Sequence, residues 1–167
     1  MAYFRADFVA DSIYDISVES LARRGIKLLL ADLDNTLVPY GEPLPDQTIV
    51  NWRDELYAYG ISLFVLSNNR KESRPRVFSE ALEVPYIGHA AKPWKKSFLK
   101  AMEQMCVTPE QTALVGDQVF TDVLGGNRVG VTTILVKPIR LAGNPGRYLR
   151  YAVEIPFRLL SKGGETL

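Results

Sequence analysis

Ile26-Lys27-Leu28-Leu29-Leu30-Ala31-Asp32-Leu33-Asp34-Asn35-Thr36 is an almost wholly apolar run that leads into two carboxylates two residues apart. Such a run reads as a strand buried on both faces, and strands of that kind belong to parallel sheets covered by helices. In those sheets the working residues lie beyond the carboxyl ends of the strands. Asp32, Asp34 and Thr36 therefore fall where a site is expected.

Downstream, short apolar runs alternate with helical patterns, the signature of an α/β sheet. Asp46 is placed to cap a helix over 46–59, with Ile49, Trp52, Leu56 and Tyr59 recurring three or four apart and Gly60 as the stop. A strand is predicted over 61–66, a helix over 73–82, an extended piece at 85–87 and a helix over 95–105. A turn at Thr108-Pro109-Glu110 leads to a strand over 112–115, a helix over 119–129 closed by Gly130, and a last strand over 131–136. Right-handed connections make these strands a parallel sheet with helices on both faces. The 167 residues fit one domain, its core about 26–136 and its remainder, 137–167, a basic amphipathic extension.

With 47% hydrophobic and 23% charged residues, the chain can bury a core without disulfides or structural metal. Its one cysteine, Cys106, excludes an intramolecular disulfide and a cysteine metal cluster, fits a reducing compartment, and reads as a small buried apolar group. A net charge of +1 argues against a nucleic-acid partner. No stretch is long and apolar enough to span a bilayer. Residues 1–11 lack the layout of a signal peptide, so a cytoplasmic location is expected.

Four polar groups follow the predicted strands: Asp32, Asp34 and Thr36; Ser67, Asn68 and Asn69; Lys92; and Asp117 with Asp122. A phosphate ester is anionic, so a carboxylate attacks it only where positive charge offsets the repulsion. Three carboxylates at one strand-end site also repel each other unless a cation sits among them. Mg²⁺ is the natural choice, being hard, oxygen-loving and able to bridge to a phosphate oxygen. Lys92 adds a second positive charge, and Ser67 offers a hydroxyl to a phosphoryl oxygen. Two carboxylates two residues apart let one attack while the other moves protons. Singly each feature is weak: Asp-x-Asp-x-Thr suits a turn, and Asp122 suits the first turn of a helix. In this order they point to phosphoryl transfer.

The series Asp-x-Asp-x-Thr, strand-end Ser, Lys and Gly-Asp-x-x-x-x-Asp resembles the haloacid dehalogenase (HAD) superfamily of phosphatases over 26–136. The wording Leu30-Ala31-Asp32-Leu33-Asp34-Asn35-Thr36-Leu37-Val38-Pro39, Leu66-Ser67-Asn68-Asn69, Ala91-Lys92-Pro93 and Val115-Gly116-Asp117-Gln118-Val119-Phe120-Thr121-Asp122 is similar to the YqeG branch of subclass IIIA. That branch is similar to a fungal mitochondrial phosphatase acting on phosphatidylglycerophosphate. The resemblance implies a HAD-like Rossmannoid fold, a three-layer α/β/α sandwich around a mostly parallel sheet. It makes Asp32 the nucleophile and a magnesium ligand. Asp34 becomes the general acid and base, ligating through its backbone carbonyl. Thr36 orients the loop beside the phosphate, Ser67 and Lys92 bind the phosphoryl group, and Asp117 is the other direct metal ligand. Asp122 stands behind them, positioning metal-bound water or Lys92. Asn68 and Arg70 are candidates for substrate contact, with turn and surface roles equally open. Trp94 is a candidate for the mouth or for packing, and His89 has no assigned role.

The gaps 36–46 and 69–92 are too short for an inserted cap, since a folded domain needs on the order of 50 residues. An open site suits a phosphate carried on something large, such as a lipid headgroup at a membrane, a protein, a nucleic acid or a polysaccharide; the alternative is a lid from a second subunit. On a helix through 147–162, Arg147, Arg150, Arg158 and Lys162 fall within about one third of the circumference. Segment 144–162 is thus a candidate for peripheral contact with an anionic membrane. The alternative is a helix docked on the core with its basic face in solvent, and Pro156 is expected to kink it. Residues 4–16 are open to docking or membrane contact. Against a phosphatase stand a receiver domain phosphorylated on Asp, and a non-catalytic protein of the same fold that binds Mg²⁺ and phosphate. Another phosphate ester, large or small, is the alternative substrate.

Overall fold

The computed structural model describes residues 2–140 and 145–161. Its strands are β1 (Phe8–Ala10), β2 (Leu28–Ala31), β3 (Ser62–Leu66), β4 (Tyr86–Ile87), β5 (Thr112–Gly116) and β6 (Thr132–Val136). Its α-helices are α1 (Val18–Arg23), α2 (Gln47–Ala58), α3 (Ser73–Leu82), α4 (Lys95–Gln104), α5 (Leu124–Val129) and α6 (Pro145–Ser161). The strands form one sheet in the order β1-β6-β5-β2-β3-β4, and every pairing is parallel.

The apolar run at the centre explains this placement. Side chains alternate across a strand, so Leu29 and Ala31 of β2 enter one core and Leu28 and Leu30 the other. The first core is closed by Leu21 of α1, Ile49, Trp52 and Leu56 of α2, and Phe78 and Leu82 of α3. The second is closed by Phe98, Ala101 and Met102 of α4. The result is helix, sheet and helix in three layers. Asp46 caps α2 as its sequence suggests, its Oδ1 accepting from Ile49 N at 3.0 Å, an interaction worth about 1 kcal/mol. Tyr59 departs from the periodic reading: it follows α2 as its cap residue and is exposed. The helix expected over 119–129 is two elements, a widened π-type turn (Val119–Val123) running into α5. From Asp32 to Lys92 the chain consists of a loop, α2, β3, α3 and β4, with no inserted domain.

Both ends of the chain take the docked alternative among the described residues. Residues 4–16 dock on the sheet: β1 pairs with β6, and Phe8, Ile13 and Ile16 are buried in the first core. Helix α6 also docks, but by the face expected to be solvated. Phe157 packs against Phe4 and Phe120 with ring centroids 5.2 and 5.3 Å apart. Buried Glu154 accepts from Phe120 N at 3.2 Å, and Ser161 Oγ accepts from Ala6 N at 3.0 Å. Arg158, inward beside Glu154, donates to the backbone oxygens of Asp117 and Val136. Outward point Tyr148, Leu149, Ala152, Val153, Ile155, Leu159 and Leu160, which at 100° per residue span an arc of about 160°. The polar groups turn inward because the loops after β5 and β6 offer backbone partners there. Lys162, counted with the basic face, lies outside the described residues. No described helix is long and apolar enough to cross a membrane. Cys106, expected inside, is exposed at a φ of 53° just after α4.

Candidate active site

From β2 the chain steps outward through β3 to β4, then crosses to β5 on the other flank of β2. Loops leaving neighbouring strands in opposite directions open a crevice at their carboxyl ends. Asp32 follows β2 and Asp117 follows β5, and the register pairing Ala31 with Val115 brings the two together. Thr36 Oγ1 lies 3.5 Å from both Asp32 Oδ2 and Asp117 Oδ1. It is buried behind the carboxylates, so it stands where a loop-orienting residue would and not on the cleft wall.

Lys92 reaches the same point from the loop after β4. Its Nζ donates to Asp32 Oδ1 at 2.6 Å and to Asp122 Oδ1 at 2.7 Å, and all three side chains are buried. The Asn68 side chain fixes the Lys92 backbone from both sides: Nδ2 donates to Lys92 O at 3.0 Å, and Lys92 N donates to Oδ1 at 2.8 Å. The amide expected to meet phosphate is thereby engaged with Lys92, although Asn68 does line the cleft. Ser67 Oγ accepts from Asn69 N at 3.1 Å, which leaves its hydroxyl hydrogen to donate.

Asp122 is delivered by the π-type turn, a distortion frequent at functional sites. Its N–H donates to Gln118 O, and its Oδ2 accepts from Gln118 N at 3.2 Å. A Cβ on Gly116 would lie 2.3 Å from Asp122 Cγ, so only glycine lets the carboxylate approach β5 this closely. Asp34 faces the cleft, its Oδ2 accepting from Asn69 Nδ2 at 2.8 Å and its Oδ1 lying 3.2 Å from Arg74 Nη2. Asn35 makes the turn beyond it at a φ of 68°, a left-handed conformation that asparagine tolerates.

Burial dominates the electrostatics. It pushes the Asp32 carboxyl up to about 6, with Lys92 opposing and Asp122 and Asp34 adding. Burial also holds Asp117 well above the usual carboxylate range, with Asp32 and Asp122 adding and Arg158 and Lys92 opposing. For Lys92 burial acts downward, but Asp122 and Asp32 outweigh it and hold the ammonium above its usual value. Asp32, Asp117 and Asp122 offer carboxylate oxygens that all lie within 4.8 Å of one another. Three buried carboxylates against one ammonium leave negative charge uncompensated, and an all-oxygen donor set fits a hard divalent cation. The Asp34 carboxylate lies outside this cluster, beside Asn69 and Arg74.

A cleft of about 480 Å³ opens over Asp32, Asp34, Ser67 and Lys92. Trp94 and His89 do not line it; Trp94 is exposed, with the Arg128 guanidinium 5.3 Å from its ring centroid. Asn69, Arg74, Gln118 and Arg150 do line it; the sequence placed Asn69 at a strand end without a role and Arg150 on a basic helix face away from the site, and gave Arg74 and Gln118 no part. Asn69 had a signal, being next to Ser67 at a strand end. Arg74 and Arg150 had none, because their proximity depends on how α3 and α6 pack.

Residues 89–138 match the family described as "HAD-hyrolase-like". The chain is 39% identical over 159 residues to the Bacillus subtilis (strain 168) protein named "Probable phosphatase YqeG", covering 95% of this chain and 91% of that one. It is 25% identical over 138 residues to an Arabidopsis thaliana protein named "Phosphatidylglycerophosphate phosphatase 1, chloroplastic/mitochondrial". That match takes in 78% of this chain and 40% of the relative. Among solved structures, 3-deoxy-D-manno-octulosonate 8-phosphate phosphatase from Yersinia pestis has a TM-score of 0.52 at 16% identity, covering 89% of this chain and 92% of that one. The last likeness is one of fold.

Proposed function

The chain belongs to the YqeG family of HAD-like phosphatases, and from that premise we propose that it hydrolyses a phosphate monoester through an aspartyl-phosphate on Asp32. The reading includes Mg²⁺ as the resident metal and phosphatidylglycerophosphate as the substrate. The observation that carries it is Lys92 Nζ set 2.6 Å from Asp32 Oδ1 in a buried, carboxylate-rich crevice that opens to a cleft.

An Asp32 carboxylate oxygen attacks phosphorus, the bond from phosphorus to the ester oxygen breaks, and Asp34 gives a proton to the departing alcohol. Water then attacks the phosphorus of the acyl phosphate, Asp34 takes its proton, and inorganic phosphate leaves with Asp32 restored. Lys92 offsets charge on the phosphoryl oxygens and Ser67 donates to one of them. Asp122 holds Lys92 in place, and Thr36 and Asn68 fix the two loops. Asp32, Asp117 and the Asp34 carbonyl would hold Mg²⁺, which when bound supplies charge neutralisation at the transferring phosphate.

The uncapped cleft supports a bulky substrate, and the named Arabidopsis relative supports a phospholipid one. The outward apolar face of α6 supports peripheral membrane contact through 144–162 from the cytoplasm, made by the apolar face and not the basic one. The test is phosphate release from detergent-dispersed phosphatidylglycerophosphate and from small esters, with Mg²⁺, with chelator, and with Asp32→Asn. Release from the lipid that needs both Mg²⁺ and Asp32 supports the whole reading. Release from small esters alone removes the lipid. Release unchanged in Asp32→Asn overturns the mechanism.

A further inference from the structure

The cleft carries more positive charge than the transfer of one phosphoryl group uses. Lys92 serves Asp32, yet Arg70, Lys71, Arg74 and Arg150 also line the cleft. Arg74 is the most built of these. Its side chain is only 11% exposed and its guanidinium lies 5.9 Å from the Phe78 ring centroid. Its Nε donates to Asp34 Oδ1 at 3.3 Å and its Nη2 is ion-paired with the same oxygen at 3.2 Å, which leaves Nη1 with no acceptor among the described residues. Buried N–H groups without acceptors are costly, more so on a charged group. A guanidinium fork matches a phosphate bidentately. Arg70 and Lys71 are exposed beside it, and their side chains form no ion pair among the described residues. Arg150 completes the opposite wall from α6, where Gln118 Oε1 accepts from its Nη1 at 2.8 Å.

We infer that this wall is a subsite for a second anionic group on the same substrate: a phosphate joined by a short spacer to the monoester that reacts at Asp32. Arg74 supplies the directed donors, and Arg70, Lys71 and Arg150 supply the field. A cleft of about 480 Å³ lies in the range that holds a whole small ligand. The inference rests on the phosphomonoesterase reading and deepens it, since it states which monoesters the enzyme prefers. A diester in a lipid headgroup and a second monoester in a soluble bisphosphate share this chemistry.

The test is isothermal titration of the Asp32→Asn full chain, in Mg²⁺, with three soluble probes. These are glycerol 3-phosphate, glycerol 1,3-bisphosphate, and glycerophosphoglycerol phosphate, which carries one monoester and one diester. One or both two-phosphate probes are expected to bind about tenfold or more tightly than glycerol 3-phosphate, as charge-assisted bidentate pairs allow. The margin should collapse in Arg74→Gln and shrink severalfold in Arg70→Gln/Lys71→Gln, a variant confined to exposed side chains. A margin for the diester alone assigns the subsite to a headgroup, and one for the bisphosphate alone to a soluble substrate. Equal affinity for all three probes, or a margin that neither variant changes, overturns the subsite. Hydrolysis of the same probes by the unsubstituted chain is read separately: none from any of them would count against the phosphatase reading, while the affinities still decide the subsite.

Discussion

Replacing Gly116 with alanine would put a methyl carbon 2.3 Å from Asp122 Cγ, 2.4 Å from Oδ2 and 2.5 Å from Cβ. Gly116 is not in the left-handed region, so alanine can adopt its backbone and the whole effect is steric. To reach ordinary contact, Asp122 must retreat by about an ångström, and it sits in a buried turn with its carboxylate 2.7 Å from Lys92 Nζ. That retreat breaks the bond. Overpacking a tight site costs roughly 1–3 kcal/mol, and losing a hydrogen bond to a buried charge costs roughly 1.5–3 kcal/mol more. We expect a loss of about 3–5 kcal/mol in urea unfolding, a melting temperature lower by roughly 10 °C, and activity below a hundredth of the parent's once Lys92 swings free. Asp122→Gly removes the clashing atoms, so the double variant should be less destabilised than the two single losses added together, by more than about 1 kcal/mol. A Gly116→Ala protein within about 0.5 kcal/mol of the parent, or one additive with Asp122→Gly, would refute the packing of Asp122 against β5 and the role given to it.

Three further outcomes follow from the same geometry. Asp34→Asn should slow turnover roughly a thousandfold with a smaller effect on phenyl phosphate, whose leaving group needs less protonation; equal losses on alkyl and phenyl esters would count against an acid role for Asp34. The Asp32 carboxyl is held up to about 6 in the folded chain, so its contribution to stability is full below its ordinary value near 4 and is lost as pH rises through 6. The melting temperature of chelator-treated protein should therefore fall from pH 4 to pH 7, and Mg²⁺ should raise it more at pH 7 than at pH 5; a flat profile would contradict the uncompensated carboxylates. Leu149→Glu/Leu159→Glu, on the outward face of α6 where those leucines are 70% and 57% exposed, should lower sedimentation with anionic vesicles by about tenfold or more while hydrolysis of small esters stays unchanged; undiminished binding would remove this face from membrane contact.

Much of the fold was legible because β2 to β6 are apolar runs and their helices carry period, caps or stops. The site was legible for a different reason: Asp32, Ser67, Lys92 and Asp117 each stand just beyond a strand or its connecting loop, and parallel topology makes those places converge. What could not be read depended on contacts distant in sequence. Phe8–Ala10 is three residues long and becomes a strand only by pairing with β6. The faces of α6 were visible on a helical wheel, but which one docks is decided by the Asp117 and Val136 carbonyls, the Phe120 amide and the Phe4 ring. Likewise Asn68 looked like a phosphate contact because of its neighbours, and only the approach of the 89–92 loop commits its amide to Lys92. Cys106 was misplaced by the general tendency of thiols to be buried, which a left-handed residue ending a helix does not follow.

The central claim is that phosphate passes through Asp32. It is tested most directly by mixing the enzyme with substrate and Mg²⁺, quenching in acid within a single turnover, reducing any acyl phosphate with borohydride, and sequencing the peptides by mass spectrometry. Homoserine is expected in place of aspartate at position 32, dependent on substrate and absent from the Lys92→Met protein. Reduction at another aspartate, or an unmodified Asp32 while phosphate is being released at full rate, would contradict it.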